Sequence, residues 1–118
     1  VVHAVDGYDE ISLTGDFLVA NETGIDLYNP EELGFEKIAP ELLHAGGTIE
    51  ESADIFMKVL KGEATKAQTS VTLANAGLGL FSVKKAQSFK EGIDMAKESL
   101  DSGRAIAAFD KFLSIGSK

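Results

Sequence analysis

The chain has 118 residues, a formal net charge of −8 and no cysteine, and 44% of its residues are hydrophobic. This is the length and composition of one ordinary globular domain, and the lack of cysteine excludes a disulfide framework and a thiolate metal site. No apolar run reaches the roughly 18 residues that a membrane-spanning helix needs. These features fit a cytoplasmic protein without a membrane partner.

The charge is distributed unevenly along the chain. Residues 1–64 contain 14 acidic residues and three lysines, whereas residues 65–118 contain five acidic and eight basic residues. Because phosphate binding needs clustered lysine and arginine, the acidic front half argues against a nucleic-acid partner. It permits a bound cation, although a solvated acidic surface that keeps the protein soluble is the simpler interpretation.

The first 30 residues are predicted to form β-structure. The apolar run VVHAV (1–5) predicts a buried strand, DGYDE (6–10) a tight loop and ISLTG (11–15) another extended piece. The alternation in residues 17–28 predicts a hairpin with Gly24 at its turn, which Asn29-Pro30 ends.

The remaining residues are predicted to be helical. The stretches PEELG (30–34) and PELLHAG (40–46) indicate single turns, and the capping boxes Thr48-x-x-Glu51 and Ser88-x-x-Glu91 indicate helix starts. A helix over 66–83 is apolar nearly all round and should be central and buried. Its glycines Gly77 and Gly79 indicate that another element packs very close to it.

Apolar residues at helical spacing should form the inward faces of the other helices. These residues are Ile49, Ala53, Phe56, Val59 and Leu60 in the first, Ile93, Ala96 and Leu100 in the second, and Ile106, Phe109, Phe112 and Leu113 in the last. The predicted fold is therefore α/β, with a few N-terminal strands followed by four to five helices. An apolar first strand expects covered neighbours on both sides, so we expect residues 1–118 to be the C-terminal portion of a larger α/β domain.

The sharpest candidate site is the acidic loop Asp6-Gly7-Tyr8-Asp9-Glu10. A strand that delivers carboxylates into a loop is a common ligand position in α/β proteins, and Mg²⁺ is typically held by one or two carboxylates together with water and phosphate oxygens. By itself the pattern is weak, and from the residues alone a solvated turn is the simpler interpretation.

Three other polar residues are weaker candidates. His3 and His44 have no identifiable triad partner, so a structural role is the favoured interpretation for both. Asn75 lies in the apolar helix and should find a hydrogen-bond partner, and a structural role is favoured over one at the lining of a cleft.

Four blocks of the chain together resemble one enzyme family. VVHAVDGYDEISLTG is similar to the VVHG-x-DGLDE segment of the anthranilate phosphoribosyltransferases, and TIEESADIFMKVLKG (48–62), TLANAGLGLF (72–81) and FKEGIDMAKESLDSGRA (89–105) resemble later segments of that family in the same order. The sequence departs from the family pattern at Ala4, where glycine is usual, and at Tyr8, where leucine is usual.

The resemblance implies a C-terminal part of a Mg²⁺-dependent transferase of tryptophan biosynthesis. That enzyme joins anthranilate to the ribosyl group of phosphoribosyl pyrophosphate and releases pyrophosphate. The resemblance also implies that Asp9 and Glu10 are metal ligands, with Glu10 binding two magnesium ions and Asp9 one of them. The family's glycine-rich pyrophosphate loop and its anthranilate-contacting residues have no counterpart in this sequence, so the resemblance also implies that these 118 residues alone are inactive.

Two alternatives remain open from the sequence: an acidic, non-catalytic binding domain of the same fold, and part of a pyrimidine nucleoside phosphorylase-like enzyme.

The resemblance implies a homodimer for the intact enzyme. We also expect these residues to self-associate, because an uncovered sheet edge invites pairing with another chain.

Overall fold

Three antiparallel strands precede four α-helices in the computed structural model, which describes residues 1–117. The strands are β1 (Val2–Ala4), β2 (Phe17–Asn21) and β3 (Gly24–Tyr28), and the helices are α1 (Ile49–Lys61), α2 (Lys66–Ser82), α3 (Phe89–Asp101) and α4 (Arg104–Gly116). Two short 3-10 helices, Pro30–Leu33 and Pro40–Leu43, lie between the sheet and α1. The predicted α/β fold and its element order are confirmed. None of the helices in residues 1–117 combines the length and the apolar character that spanning a membrane requires.

The predicted hairpin is the central feature of the sheet. Strands β2 and β3 pair from Phe17 opposite Tyr28 to Asn21 opposite Gly24, across a two-residue loop. The side-chain oxygen of Asn21 accepts hydrogen bonds from the backbone nitrogens of Thr23 (2.8 Å) and Gly24 (3.1 Å), which fixes this turn. Phe17 and Val19, which lie on the same face of β2, are both buried, as the alternation predicted.

Strand β1 differs from the prediction of a fully buried strand. It pairs only with β2, so it is an edge strand within the part of the chain that the structure describes. Val1 is 95% exposed and Val5 is 60% exposed, and only Ala4 of the strand is fully buried. Within residues 1–117, β1 therefore has a neighbouring strand on one side only and lacks the second neighbour that its apolar sequence predicts.

The segment 11–15, predicted to be extended, is not a strand. Its apolar side chains are buried, with Ile11 at 2% and Leu13 at 0% exposure, but Leu13 adopts a positive φ of 60° that no regular strand contains. The carbonyl of Leu13 accepts from the backbone nitrogen of Ile38 at 2.8 Å, and the hydroxyls of Ser12 and Thr14 lie 2.7 Å apart. Tertiary partners therefore satisfy this backbone in place of a neighbouring strand.

A cluster of three aromatic rings joins the sheet to α3. Phe17 stacks on Tyr28 with a centroid separation of 5.6 Å, and Phe89 meets both rings edge-on at 6.2 and 5.3 Å. Phe17 is completely buried. The partial burial of the Tyr28 side chain, together with the negative charge of Asp26, raises the pKa of Tyr28 above its ordinary value. Edge-on and offset rings add to the free energy that burial of the aromatic area contributes.

Helices α2 and α3 pack backbone to backbone through two glycines. A Cβ atom at Gly92 would lie 2.3 Å from the carbonyl oxygen of Gly77, and one at Gly77 would lie 2.7 Å from the backbone nitrogen of Ile93. The predicted close packing at Gly77 is therefore confirmed. The same prediction for Gly79 was wrong, because nothing lies within 4 Å of a Cβ placed there.

The helix starts are close to those predicted. The hydroxyls of Thr48 and Ser88 accept from the backbone nitrogens of Glu51 and Glu91, each at 3.1 Å. In a capping box the glutamate carboxylate would accept from the backbone nitrogen of the N-cap residue itself. Here the carboxylates of Glu51 and Glu91 accept instead from the backbone nitrogens of the preceding residues, Gly47 and Gln87. A complete capping box that the sequence analysis did not identify joins Thr65 and Gln68 at the start of α2.

The apolar faces of α1 and α4 are less buried than predicted. Ile49 is 85% exposed and Phe112 is 68% exposed, although the rings of Phe56 and Phe109 meet at 4.9 Å. Together with α2 and α3, these helices line an apolar groove of about 620 Å³. Helix α2 is therefore central, as predicted, but it is not buried on the side that faces this groove.

Candidate functional site

The acidic loop begins where β1 ends and closes back on that strand. The backbone nitrogen of Gly7 donates to the carbonyl of Ala4 at 3.0 Å, and the nitrogen of Ala4 donates to the carbonyl of Tyr8 at 2.9 Å. Gly7 has φ of +105°, a conformation that side-chain-bearing residues rarely adopt, so glycine permits this turn. The tight loop predicted for residues 6–10 is confirmed.

The structure separates Asp6 from the other two carboxylates of the loop. The hydroxyl of Thr14 donates a hydrogen bond to the Asp6 carboxylate. Asp6 also borders a pocket of about 300 Å³ together with Lys37, whereas Glu10 borders a different one. Asp6 therefore holds the loop against the buried segment 11–15, and sequence reasoning had no signal for its partner Thr14.

Asp9 and Glu10 are both solvent-exposed in irregular backbone. Neither carboxylate takes part in an ion pair within residues 1–117. Glu10 and Tyr8 line a pocket of about 260 Å³ between the loop and α2. Two adjacent carboxylates are thus open to a cation and to whatever ligand accompanies it.

The donor set decides which kind of metal site these carboxylates could form. Within residues 1–117, no group of three or more histidine, cysteine, aspartate or glutamate side chains could hold a metal ion. A site with three or more carboxylate, imidazole or thiolate ligands is therefore not available in this part of the chain. Two carboxylates fit Mg²⁺, which usually keeps several waters and takes its remaining ligands from a phosphate-bearing substrate.

Asn75 links this loop to α2 through a pair of hydrogen bonds to one residue. Its Nδ2 donates to the carbonyl of Ile11 at 2.8 Å, and its Oδ1 accepts from the backbone nitrogen of Ile11 at 3.1 Å. Nδ2 also donates to the carbonyl of Val71 at 2.8 Å within α2. The predicted partner for Asn75 is thus confirmed, and the residue also lines the pocket beside Glu10.

The two histidines take no part in this arrangement. His3 lies on β1 opposite Leu18, and His44 follows the second 3-10 helix. Both are exposed, and neither side chain makes a hydrogen bond within residues 1–117. Their exposure gives no support to the structural role predicted for them, and in this part of the chain no side-chain hydrogen bond pairs either with a nucleophile.

The sequence is similar to known proteins over nearly all of its length. Residues 1–106 match the family model described as "Glycosyl transferase family, a/b domain". Over 118 residues the chain is 43% identical to the anthranilate phosphoribosyltransferase of Bacteroides thetaiotaomicron, and over 117 residues it is 43% identical to that of Phocaeicola vulgatus. These alignments include 100% and 99% of the chain but only 36% and 35% of the two relatives.

Two solved structures agree with the sequence matches. The crystal structure of anthranilate phosphoribosyltransferase from Thermus thermophilus superposes with a TM-score of 0.88 at 34% identity, over 97% of this chain and 34% of that one. The enzyme from Saccharomyces cerevisiae in complex with PRPP and Mg superposes with a TM-score of 0.83 at 25% identity, over 96% of this chain and 32% of that one. The chain thus spans about a third of the length of the proteins that it matches.

Proposed function

Because this chain belongs to the glycosyl transferase family, in its a/b domain, we propose that it is the magnesium-binding part of an anthranilate phosphoribosyltransferase. The observation that carries the proposal is the pair of open carboxylates, Asp9 and Glu10, in a loop that is fixed on both sides. It is supported by relatives of that name that align with the chain along its whole length.

The proposed reaction transfers the phosphoribosyl group of phosphoribosyl pyrophosphate to anthranilate, with release of pyrophosphate. The bound metal would supply positive charge that neutralises the pyrophosphate as its bond to ribose breaks. Asp9 and Glu10 would hold the metal through their carboxylate oxygens. Their exposure, and the pocket next to Glu10, leave room for the phosphate oxygens that complete such a site.

In the proposed scheme, residues outside this sequence bind and orient the two substrates. Catalysis requires both substrates to be held in a reactive geometry, and the chain aligns with only 36% of its relative from B. thetaiotaomicron. We therefore propose metal binding, but not turnover, for these 118 residues alone. The cytoplasmic location predicted above belongs to the same proposal.

The comparisons favour this function over the alternatives. The relatives and solved structures reported above are all named anthranilate phosphoribosyltransferase, which favours that activity over a nucleoside phosphorylase. An acidic binding domain without a catalytic metal is the alternative that the next experiment excludes or supports.

We expect Mn²⁺, used as a probe for Mg²⁺, to bind weakly to the chain and more tightly when phosphoribosyl pyrophosphate is present. The double variant Asp9→Asn/Glu10→Gln should weaken binding by more than the roughly 10–100-fold that the loss of an outer-shell partner costs, because both anionic ligands are removed. Isothermal titration calorimetry measures both constants.

The matched control is Glu22→Gln/Asp26→Asn, which removes two exposed carboxylates from the hairpin and changes the net charge by the same amount. It should bind Mn²⁺ like the unchanged chain. Equal loss of affinity in both double variants would show that only the overall negative charge attracts the ion, and would contradict the assignment of Asp9 and Glu10.

We also propose that the chain self-associates through its sheet. Val1, Val5, Ile25 and Leu27 are each at least 60% exposed, and β1 has an open edge within residues 1–117. Exposed apolar strands with unpaired edges pair with other chains. Multi-angle light scattering should give at least twice the 12.5 kDa chain mass, and a stable monomer at high concentration would contradict this.

A further inference from the structure

The two carboxylates occupy a short span between two fixed points. Before them, the carbonyl of Tyr8 is bonded to the nitrogen of Ala4 at the end of β1. After them, Ile11 is 2% exposed, and both its N–H and its C=O are bonded to the side chain of Asn75. Only Asp9 and Glu10 separate these points, so their backbone has little freedom.

Asn75 provides the second fixed point from a helix 64 residues away in the sequence. Its three hydrogen bonds use both the donor and the acceptor end of its amide, and the two bonds to Ile11 can form together only in one orientation of that peptide segment. Side-chain truncation to an apolar group would leave the N–H and C=O of Ile11 without these partners. The direction of the chain at Glu10 therefore depends on Asn75.

We propose that Asn75 is a positioning residue for the metal site: it does not contact the ion but fixes the segment that carries Asp9 and Glu10. This inference rests on the proposed function, in which those two residues are the ligands. Residues that orient metal ligands typically contribute about 10- to 100-fold to metal affinity.

The variant Asn75→Leu keeps the branched shape and the number of side-chain heavy atoms of asparagine and removes all three hydrogen bonds. We expect its Mn²⁺ dissociation constant to rise about tenfold. By NMR hydrogen exchange, the amide of Ile11 should exchange at least about tenfold faster, because its acceptor is gone. The amide of Ile38, which is bonded to the carbonyl of Leu13, should be unchanged and serves as the reference within the same spectrum.

The control is Thr72→Val on the same helix. The Thr72 hydroxyl donates to the carbonyl of Gln68 at 2.9 Å, so the variant loses a bond of the same kind as the one from Asn75 to Val71 but none to the loop. It should leave the Mn²⁺ affinity and the exchange of Ile11 unchanged. An effect of Thr72→Val equal to that of Asn75→Leu would overturn the proposal, since helix stability alone would then explain both.

The outcomes separate this inference from the proposed function. Absence of Mn²⁺ binding by the unchanged chain, with and without phosphoribosyl pyrophosphate, would overturn the proposed function and this role of Asn75 with it. Normal Mn²⁺ binding by folded Asn75→Leu would overturn only the role of Asn75. Should Asn75→Leu not fold, the smaller Asn75→Ala replaces it, and failure of both to fold would make Asn75 a structural residue and overturn the proposal.

Discussion

Replacement of Gly92 by alanine is expected to destabilise the protein by about 3 kcal/mol, at the upper end of the cost of overpacking a core. The added methyl carbon would lie 2.3 Å from the carbonyl oxygen of Gly77, which is backbone and cannot move away as a flexible side chain can. The two helices would have to separate, and the contacts between α2 and α3 would loosen along their length. Urea denaturation should show a lower midpoint with an unchanged slope.

The matched control is Gly79→Ala, in the same helix as Gly77. Nothing lies within 4 Å of a Cβ at that position, and alanine favours a helix over glycine by about 1 kcal/mol. Gly79→Ala should therefore be neutral or slightly stabilising, whereas Gly77→Ala should destabilise because its Cβ meets the backbone of Ile93. Equal midpoints for Gly92→Ala and Gly79→Ala would show that the helices do not pack backbone to backbone.

Phe17→Ala is expected to cost about 3–5 kcal/mol, the range for a buried phenylalanine. Phe17 has no exposed surface, and it contacts Tyr28 across the hairpin and Phe89 on α3. Its removal opens a cavity at the junction of sheet and helices. Since whole domains are stable by only about 5–15 kcal/mol, thermal and urea unfolding should show a large fraction of the stability lost.

Phe112→Ala is the comparison for this change. Phe112 is the same residue type but is 68% exposed on α4. Its replacement should change the free energy of unfolding by less than about 1 kcal/mol. Similar losses for Phe17→Ala and Phe112→Ala would mean that the aromatic cluster does not join the sheet to α3 as described.

Local patterns predicted the elements whose partners are close in the sequence. The hairpin followed from the pattern of residues 17–28 and from Gly24 beside its turn, and α2 ends within one residue of the predicted 66–83. The acidic loop followed from its glycine, because only a positive φ at Gly7 closes it. These features depend on local backbone conformation, which the residue types at each position favour directly.

The wrong predictions concern contacts between distant parts of the chain. Apolar alternation in ISLTG is typical of a strand, but the partners of its backbone are Asn75 and Ile38. Gly77 and Gly79 lie about 200° apart around the helix, and only the position of α3 shows which of these two faces is closely packed. The same holds for the candidate site: three carboxylates lie in one loop, and the hydroxyl of Thr14 is what sets Asp6 apart.

The link between Asn75 and Ile11 has a consequence for the order in which the protein assembles. Helices α2 and α3 are neighbours in the chain, so their contact closes a short loop, whereas the link to Ile11 must close a loop of 64 residues. Closing a longer loop costs more conformational entropy, and contacts between distant residues form more slowly. We therefore expect the helical pair to form early in folding and the carboxylate-bearing segment to be among the last to become ordered.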